Sequence, residues 1–275
     1  MHDIEITQSL LKSINPTDYT ISIRLRPGGF CFSLYSKTAR EFTALYDVSA
    51  ENIDDVVSKM ERIGLRGNEF CQIYVLDDCE KWTLLPANME GTDQNAVWEL
   101  NFGLQPAAPL CEADIATAGT KCLFEAGENS LALKKRFTNA RLFPIQVADI
   151  AYSLQGSQNT EGGFMGLDVR DKQMCLYVAN NGKLQLANAF GYETPTDLLY
   201  FVMNTLRTFS FKQNEVHVEL WGKTPDTTLQ LLKQYIRHVS VAEPNKLFDY
   251  ASNIKKLANK HEYYDLFNIT TICAL

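Results

Sequence analysis

Two short stretches hold residues whose types and spacing suit them to gripping a phosphate. In the first, Arg24-Leu25-Arg26-Pro27-Gly28-Gly29, two arginines on alternate positions precede a glycine pair. Guanidinium groups bind phosphate oxygens through paired donors, and glycine lets backbone N–H groups come close to an anion. Pro27 carries no N–H, however, and Pro-Gly followed by Gly is also the ordinary chemistry of a tight turn between two strands. In the second, Gly166-Leu167-Asp168-Val169-Arg170-Asp171, the carboxylate of Asp168 could orient metal-bound water. There Arg170 stands where a glycine would allow close approach, and Asp171 adds negative charge. A third segment, Leu220-Trp221-Gly222-Lys223-Thr224, offers one bare turn on which a flat base could stack and a lysine stem to cover a ring.

Strands and turns must position these groups, and the pattern supplies them. From Tyr19 the period is two, with Ile21, Ile23 and Leu25 on one face and Ser22, Arg24 and Arg26 on a wet or functional one. Strands at Phe30–Tyr35 and Glu41–Asp47 follow, then a helix capped by Ser49 with the stripe Ile53, Val56, Val57, Met60, Ile63 and an end at Gly64. Phe70–Leu76 is a further strand, ending at Asp77-Asp78. The same order recurs: strands at Phe164–Arg170, Lys172–Ala179 and Lys183–Phe190, a helix capped by Thr194 with Pro195 at its first position, a strand at Val216–Leu220, and a helix opened by Thr224-Pro225. Cys31 matches Cys175 and Tyr46 matches Phe190, each 144 residues on, and the same offset sets Asp168 against Arg24. Between the halves lie a strand at Lys121–Glu125, a helix at Glu128–Phe137 and apolar periodicity over Ile145–Leu154. The polar, glycine-rich run Gly156–Gly163 is the expected boundary.

A duplicated unit of three antiparallel strands, helix, strand and helix resembles the actin-like ATPase superfamily of actin, heat-shock chaperone ATPases and sugar kinases. Ile21-Ser22-Ile23-Arg24-Leu25, Trp82-Thr83-Leu84-Leu85-Pro86, Leu186-Ala187-Asn188-Ala189-Phe190 and Tyr263-Tyr264-Asp265-Leu266-Phe267-Asn268 are similar to an uncharacterised bacterial domain family of unknown function within it. The resemblance implies an α/β, ribonuclease-H-like fold duplicated into two domains. Each domain has a mixed five-stranded sheet flanked by helices, and the two enclose a central cleft. It also implies that the first hairpin of each domain grips nucleotide phosphates. In that superfamily the hairpin reads D-x-G-[ST], and the adenosine loop is apolar-x-G-G-x-[SA]. Here each motif is half present, and the expected organisation is an N-terminal adaptor at 1–18, read as a single helix, with domains at 19–160 and 161–275. Phosphate-site candidates are Arg24, Arg26, Gly28, Gly29, Arg170, Gly222 and Lys223, with Asp168 as the catalytic candidate. ATP and magnesium belong to the alternative reading, an active ATPase.

Composition narrows the classes further. The 275 residues are 45% hydrophobic, enough for buried cores, and 33 acidic against 26 basic side chains give a net charge of −7 that repels nucleic acid and anionic membranes. No run suits a membrane span, and the N-terminal stretch does not read as a secretory signal. Seven scattered cysteines without a C-x-x-C pair point to reduced thiols in the cytoplasm and give no zinc signature. The four histidines lack metal spacing; His217 and Glu219 share a strand face as a structural pair, and no P-loop is present. Phe248, Tyr250, Tyr263, Tyr264 and Phe267 are expected to pack the C-terminal segment onto the second domain. A protein partner, not identified by any motif, is the expected ligand of a scaffold of this kind.

Overall fold

A computed structural model of the chain describes residues 4–5, 14–26, 28–62, 65, 69–89, 91 and 93–273. Pro27, Ile63 and Gly64 lie outside the described residues. The first part of the chain supplies β1 (Ile4–Glu5), β2 (Tyr19–Arg26), β3 (Gly29–Ser36), β4 (Glu41–Ser49), α1 (Ile53–Arg62), β5 (Gln72–Asp77), β6 (Trp82–Pro86), α2 (Gln94–Phe102), β7 (Leu110–Ile115), β8 (Thr120–Glu125), α3 (Glu128–Arg136) and β9 (Ala140–Pro144). Next come α4 (Gln146–Gln158), β10 (Phe164–Val169), β11 (Gln173–Asn180), β12 (Lys183–Gly191), α5 (Pro195–Thr208), β13 (His217–Gly222), α6 (Asp226–Tyr235) and β14 (His238–Val241). The chain ends with β15 (Asp249–Tyr250), α7 (Ser252–Lys255) and α8 (Tyr264–Cys273). By contacts it divides into two compact units, Met1–Val147 with Asn245–Ala258 and Leu266–Leu275, and Ala148–Pro244 with Asn259–Asp265.

In the first unit the sheet order is β1-β4-β3-β2-β5-β9, with β15 also beside β4. The strands β2, β3 and β4 are antiparallel, and β2, β5 and β9 are parallel. Both faces of β3 are buried, and the side of β2 that its sequence marks as wet is covered: Ser22 and Ser33 are 1% exposed. The cause is α8, whose Leu266 carbonyl accepts the Ser33 hydroxyl at 3.2 Å. The small Ser33 side chain leaves room for the helix while donating to its backbone.

The C-terminal aromatics divide differently from the expectation. Tyr250 stacks on Phe42 at 5.3 Å, while Phe248 and Phe267 meet the same ring at 5.4 and 4.9 Å, so these three pack on the first unit. Tyr263 and Tyr264 belong to the second. In the N-terminal segment Ile4–Glu5 pairs with β4 as a strand, and Pro16–Asp18 forms a single 3-10 turn. Asn52, not Ser49, caps α1: its Oδ1 accepts the Asp55 N–H at 3.0 Å, and the Asp55 carboxylate returns to the Glu51 N–H at 3.1 Å. Between β5 and α3 the antiparallel sheet β6-β8-β7 closes over Trp98, Leu85 and Leu123.

The second unit repeats the central order, β12-β11-β10-β13-β14, with β10, β11 and β12 antiparallel and β10, β13 and β14 parallel. Its helices α5 and α6 bury Leu198, Val202, Leu206 and Leu232 against Leu167, Val169 and Leu220. Thr194 caps α5 as its sequence predicts, and Asp197 turns the cap into a capping box: Asp197 N–H reaches Thr194 Oγ1 at 3.3 Å and the Asp197 carboxylate accepts the Thr194 N–H at 2.8 Å. On the other face Trp221 lies between Tyr177 and Tyr264, at 6.0 and 5.6 Å. Gly166 makes this possible, because a Cβ there would overlap the indole.

The two hairpins share a register. Arg24 lies opposite Cys31, and Asp168 lies opposite Cys175. The third strands depart from the common offset, because residues 37–40 join the first pair and Asn181-Gly182 the second. Tyr46 therefore corresponds to Asn188, not Phe190: Tyr46 faces Phe32, and Asn188 faces Leu176. The pairing irregularities at Leu34/Tyr35 and Val178/Ala179 nonetheless keep the offset.

His217 and Glu219 take separate partners rather than each other. The Tyr152 hydroxyl donates to the Glu219 carboxylate, whose pKa burial raises. His217 stacks on His238 of β14 with ring centres 4.7 Å apart and planes 5° from parallel.

Two stability measurements check these features. A Cβ at Gly29 would overlap the Val48 carbonyl, so Gly29→Ala is expected to cost about 3 kcal/mol in denaturant unfolding. Gly28→Ala meets open space but must hold a φ of +75°, and is expected to cost about 1 kcal/mol. Burial and then the neighbouring His238 lower the His217 pKa, so the folded state binds fewer protons than the unfolded one near that pKa. The stability contributed by His217 is present above its unfolded pKa of about 6.5 and falls away as pH drops through its folded pKa. His217→Gln is expected to lose less stability than the wild-type protein over that acid limb.

Candidate functional site

The eight candidate residues fall into two groups of four, one at the first hairpin and one where the second hairpin meets the end of β13. In the first unit, β2 places Arg24 and Arg26 two residues apart, and the turn places Gly28 and Gly29 after them. Gly29 is required because β3 and β4 run close together there. Arg26 does not project free: its Nε donates to Asp47 Oδ1 at 3.0 Å and its Nη2 binds the same oxygen. An arginine clamped by a carboxylate on β4 has its donors directed at a partner other than an incoming phosphate. Arg24 is half-buried on the sheet, opposite Cys31 and beside Leu76 of β5.

Around this turn an open groove of about 320 Å³ is walled by Leu25, Arg26, Gly28, Gly29 and the start of α1, with Asp77, Asp78 and Ser130 opposite. The acidic pair at the end of β5 acquires a structural role here. The Asp77 carboxylate accepts the Gly127 N–H at 2.8 Å and a hydrogen bond from the Ser130 side chain, which caps α3 from outside the helix. Burial raises its pKa against the lowering effect of those two donors.

In the second unit the strand order brings together residues far apart in sequence. β10 and β13 are parallel neighbours with Val169 opposite Gly222, so Asp168, Arg170, Gly222 and Lys223 converge. Asp168 is 5% exposed, and Arg170 closes on it: Arg170 Nε donates to Asp168 Oδ2 at 2.7 Å and Nη2 to the same oxygen. Gly222 sits on the other side of the carboxylate, where a Cβ would come within 2.6 Å of Asp168 Oδ1. The Lys223 N–H donates to the Val169 carbonyl at 2.8 Å, and its ammonium lies 3.7 Å from Asp171 on the exposed surface. Tyr192 holds the arginine in place from its other end, donating its hydroxyl to the Arg170 carbonyl at 2.6 Å.

Asp149 and Tyr177 complete this cluster and were not apparent as candidates. Asp149, 1% exposed on α4, accepts the Tyr177 hydroxyl at 3.0 Å. Burial, then Asp149, Cys175 and Asp168, raise the Tyr177 pKa, with Arg170 opposing them. Burial likewise pushes the Cys175 thiol up to about 12, as expected for a small core residue. The one available signal was a single acid inside the apolar helix pattern Ile145–Leu154, a position that requires a buried partner.

ATP with magnesium, the cofactor set the resemblance implies, does not fit these residues as they stand. The carboxylate that would act on metal-bound water already carries a guanidinium, and Arg170 fills the position where a glycine would admit a phosphate. Among the described residues no three His, Cys, Asp or Glu side chains are arranged to hold a metal ion.

Comparison with known proteins agrees with this architecture. The pattern of the family described as "Protein of unknown function (DUF3822)" matches residues 8–239. A protein of actin-like ATPase fold and unknown function from Bacteroides thetaiotaomicron superposes with a TM-score of 0.70 at 19% identity, covering 83% of this chain and 92% of that one. The structure of the PilM–PilN type IV pilus biogenesis complex contains a chain similar to this one, with a TM-score of 0.61 at 10% identity, over 94% and 98% of the respective chains. No curated protein matches the sequence. The chain belongs to the DUF3822 family of proteins of unknown function, and its fold is the actin-like ATPase fold.

Proposed function

We propose that this protein is a non-catalytic member of the actin-like fold, binding nucleotide very weakly or not at all and acting as a cytoplasmic scaffold for a protein partner. The ion pair between Asp168 and Arg170 carries the reading. A catalytic carboxylate needs an open coordination position, and here an internal cation takes it. The clamp of Asp47 on Arg26 supports the same conclusion at the first hairpin. We read the chain as the product of one duplication, with domains at 19–160 and 161–275, supported by the common sheet order and hairpin register of its two halves; by contacts, residues 148–160 join the second compact unit, and 245–258 and 266–275 join the first.

Two observations support the setting. The six cysteines whose side chains are described are all free, in keeping with a reducing compartment, and among the described residues no helix is long and apolar enough to cross a membrane. A chain of the same fold, at 10% identity, is solved within the PilM–PilN complex, and it supplies the precedent for an interaction module.

Thermal unfolding with several millimolar ATP and magnesium is expected to leave the midpoint unchanged. A ligand at about 100 times its dissociation constant would add about 2.7 kcal/mol to stability. A raised midpoint that Asp168→Ala abolishes would establish the active-ATPase alternative, with Arg24, Arg26, Gly28 and Gly29 on phosphate, instead. Removing the guanidinium should also be costly to the fold: Arg170→Ala is expected to destabilise by about 3 kcal/mol at neutral pH, because it leaves Asp168 buried and uncompensated. Adding Asp168→Asn to that variant should restore roughly half of the loss in denaturant unfolding.

A further inference from the structure

We propose that the outer edge of β12 receives an extended, uncharged segment of the protein partner as an added antiparallel strand, with a large apolar side chain seated beside α5; this rests on the scaffold reading above, which supplies the partner. β12 is nine residues long and ends the sheet order of its unit, and no strand pairs with its outer side among the described residues. Long open edges are templates for further pairing, and proteins blunt them with charge, proline, bulges or brevity. From Leu184 to Tyr192 the chain carries neither charge nor proline, and its one pairing irregularity lies at the far end, between Leu184 and Leu186. The opposite edge of the same sheet, β14, is blunted by brevity, at four residues.

The first unit displays the kind of occupant such an edge takes. There β4 holds the place of β12 in the sheet order, and two extended segments cover it, β1 antiparallel and β15 parallel. β1 lies against Tyr46 and Asp47, whose counterparts on β12 are Asn188 and Ala189. The backbone of β12 is set for the same pairing. The Tyr192 N–H donates to the Lys172 carbonyl at 2.9 Å, so the antiparallel ladder turns the main-chain groups of Phe190 and Asn188 toward β11 and those of Ala187, Ala189 and Gly191 outward. These three residues have small side chains or none, which leaves the edge accessible. The Asn188 side-chain oxygen accepts the Ala189 N–H at 3.0 Å, a local bond that the carbonyl of an added strand can replace. At the Gly191 end an open hollow of about 320 Å³ is bounded by Tyr192, Tyr200 and Phe201. Tyr200 is 64% exposed and stands edge-on to Phe201, which in turn stacks on Phe190 at 4.7 Å. A side chain opposite Phe190 on an added strand falls on this α5 face, where an aromatic or large aliphatic group would bury these rings. The exposed pair Lys172 and Glu193 lies on the rim, so neither sign of charge is selected.

Selection of the full chain against a displayed library of random peptides, each about twelve residues long, tests it. Enriched peptides are expected to be uncharged, to alternate around a large apolar residue, and to slow amide hydrogen exchange at Ala187, Ala189 and Gly191 about tenfold or more by NMR. Ala189→Pro deletes an outward N–H that β11 does not use, so it should weaken the selected peptides about tenfold or more while the thermal midpoint stays near that of the wild type. Tyr200→Ala, at an exposed position, should weaken them in the same direction. No enrichment, or enriched peptides that leave those three wild-type amides unprotected, would overturn the inference whether or not Ala189→Pro folds. A dimer of the full chain in sedimentation, abolished by Ala189→Pro, would overturn it as well by giving the edge to a second copy. ATP binding would count against the proposed function and leave the peptide result standing; failure of every peptide while ATP also fails to bind would remove this inference alone.

Discussion

A carboxylate withdrawn from water has to be met by a cation or by several donors, and this requirement organises both hairpins of the protein. Asp168 is met by Arg170 and Asp47 by Arg26, while Asp149 accepts the Tyr177 hydroxyl, each within its own unit. The first two pairings engage Arg26 and Arg170, one cation at each hairpin that would otherwise face a phosphate. On the reading proposed above, the same electrostatic need that makes the strands stable removes the chemistry expected of their positions.

The mixed sheet explains why the pairings are so close. Parallel β13 lies beside β10, so a glycine turn reaches the carboxylate of Asp168 from one side while Arg170, two residues along the strand, reaches it from the other. Any side chain at Gly222 would enter the space of that carboxylate. In the first unit the β3–β4 approach at Gly29 is equally tight, and Asp47 on β4 is thereby brought within reach of Arg26 on β2. The loops therefore inherit their geometry from backbone ladders, and side-chain identity alone decides whether an anion could be held there.

Much of this was legible in the residues. Alternation over Ile21–Leu25, the cap at Thr194 followed by Pro195, and the match of Cys31 with Cys175 predict strands, a helix start and a common register, and all three are found. Local signals of this kind depend on neighbours in sequence, which is why they read directly. The Asp168–Arg170 pair was also within reach, because residues two apart on a strand share a face. What could not be read is non-local: the return of Phe248, Tyr250 and Phe267 to Phe42, the covering of Ser22 and Ser33 by α8, and the partnership of Asp149 with Tyr177. Ser49 lost the cap of α1 to Asn52 because both are good cap residues and only the backbone geometry chooses between them.

The most direct test of the central claim is a crystal structure of the full chain grown with magnesium and a non-hydrolysable ATP analogue. The account predicts that Arg170 stays on Asp168, with neither metal nor phosphate at that carboxylate. A magnesium ion bound through water to Asp168, with the Arg170 guanidinium swung away onto the phosphates, would contradict it.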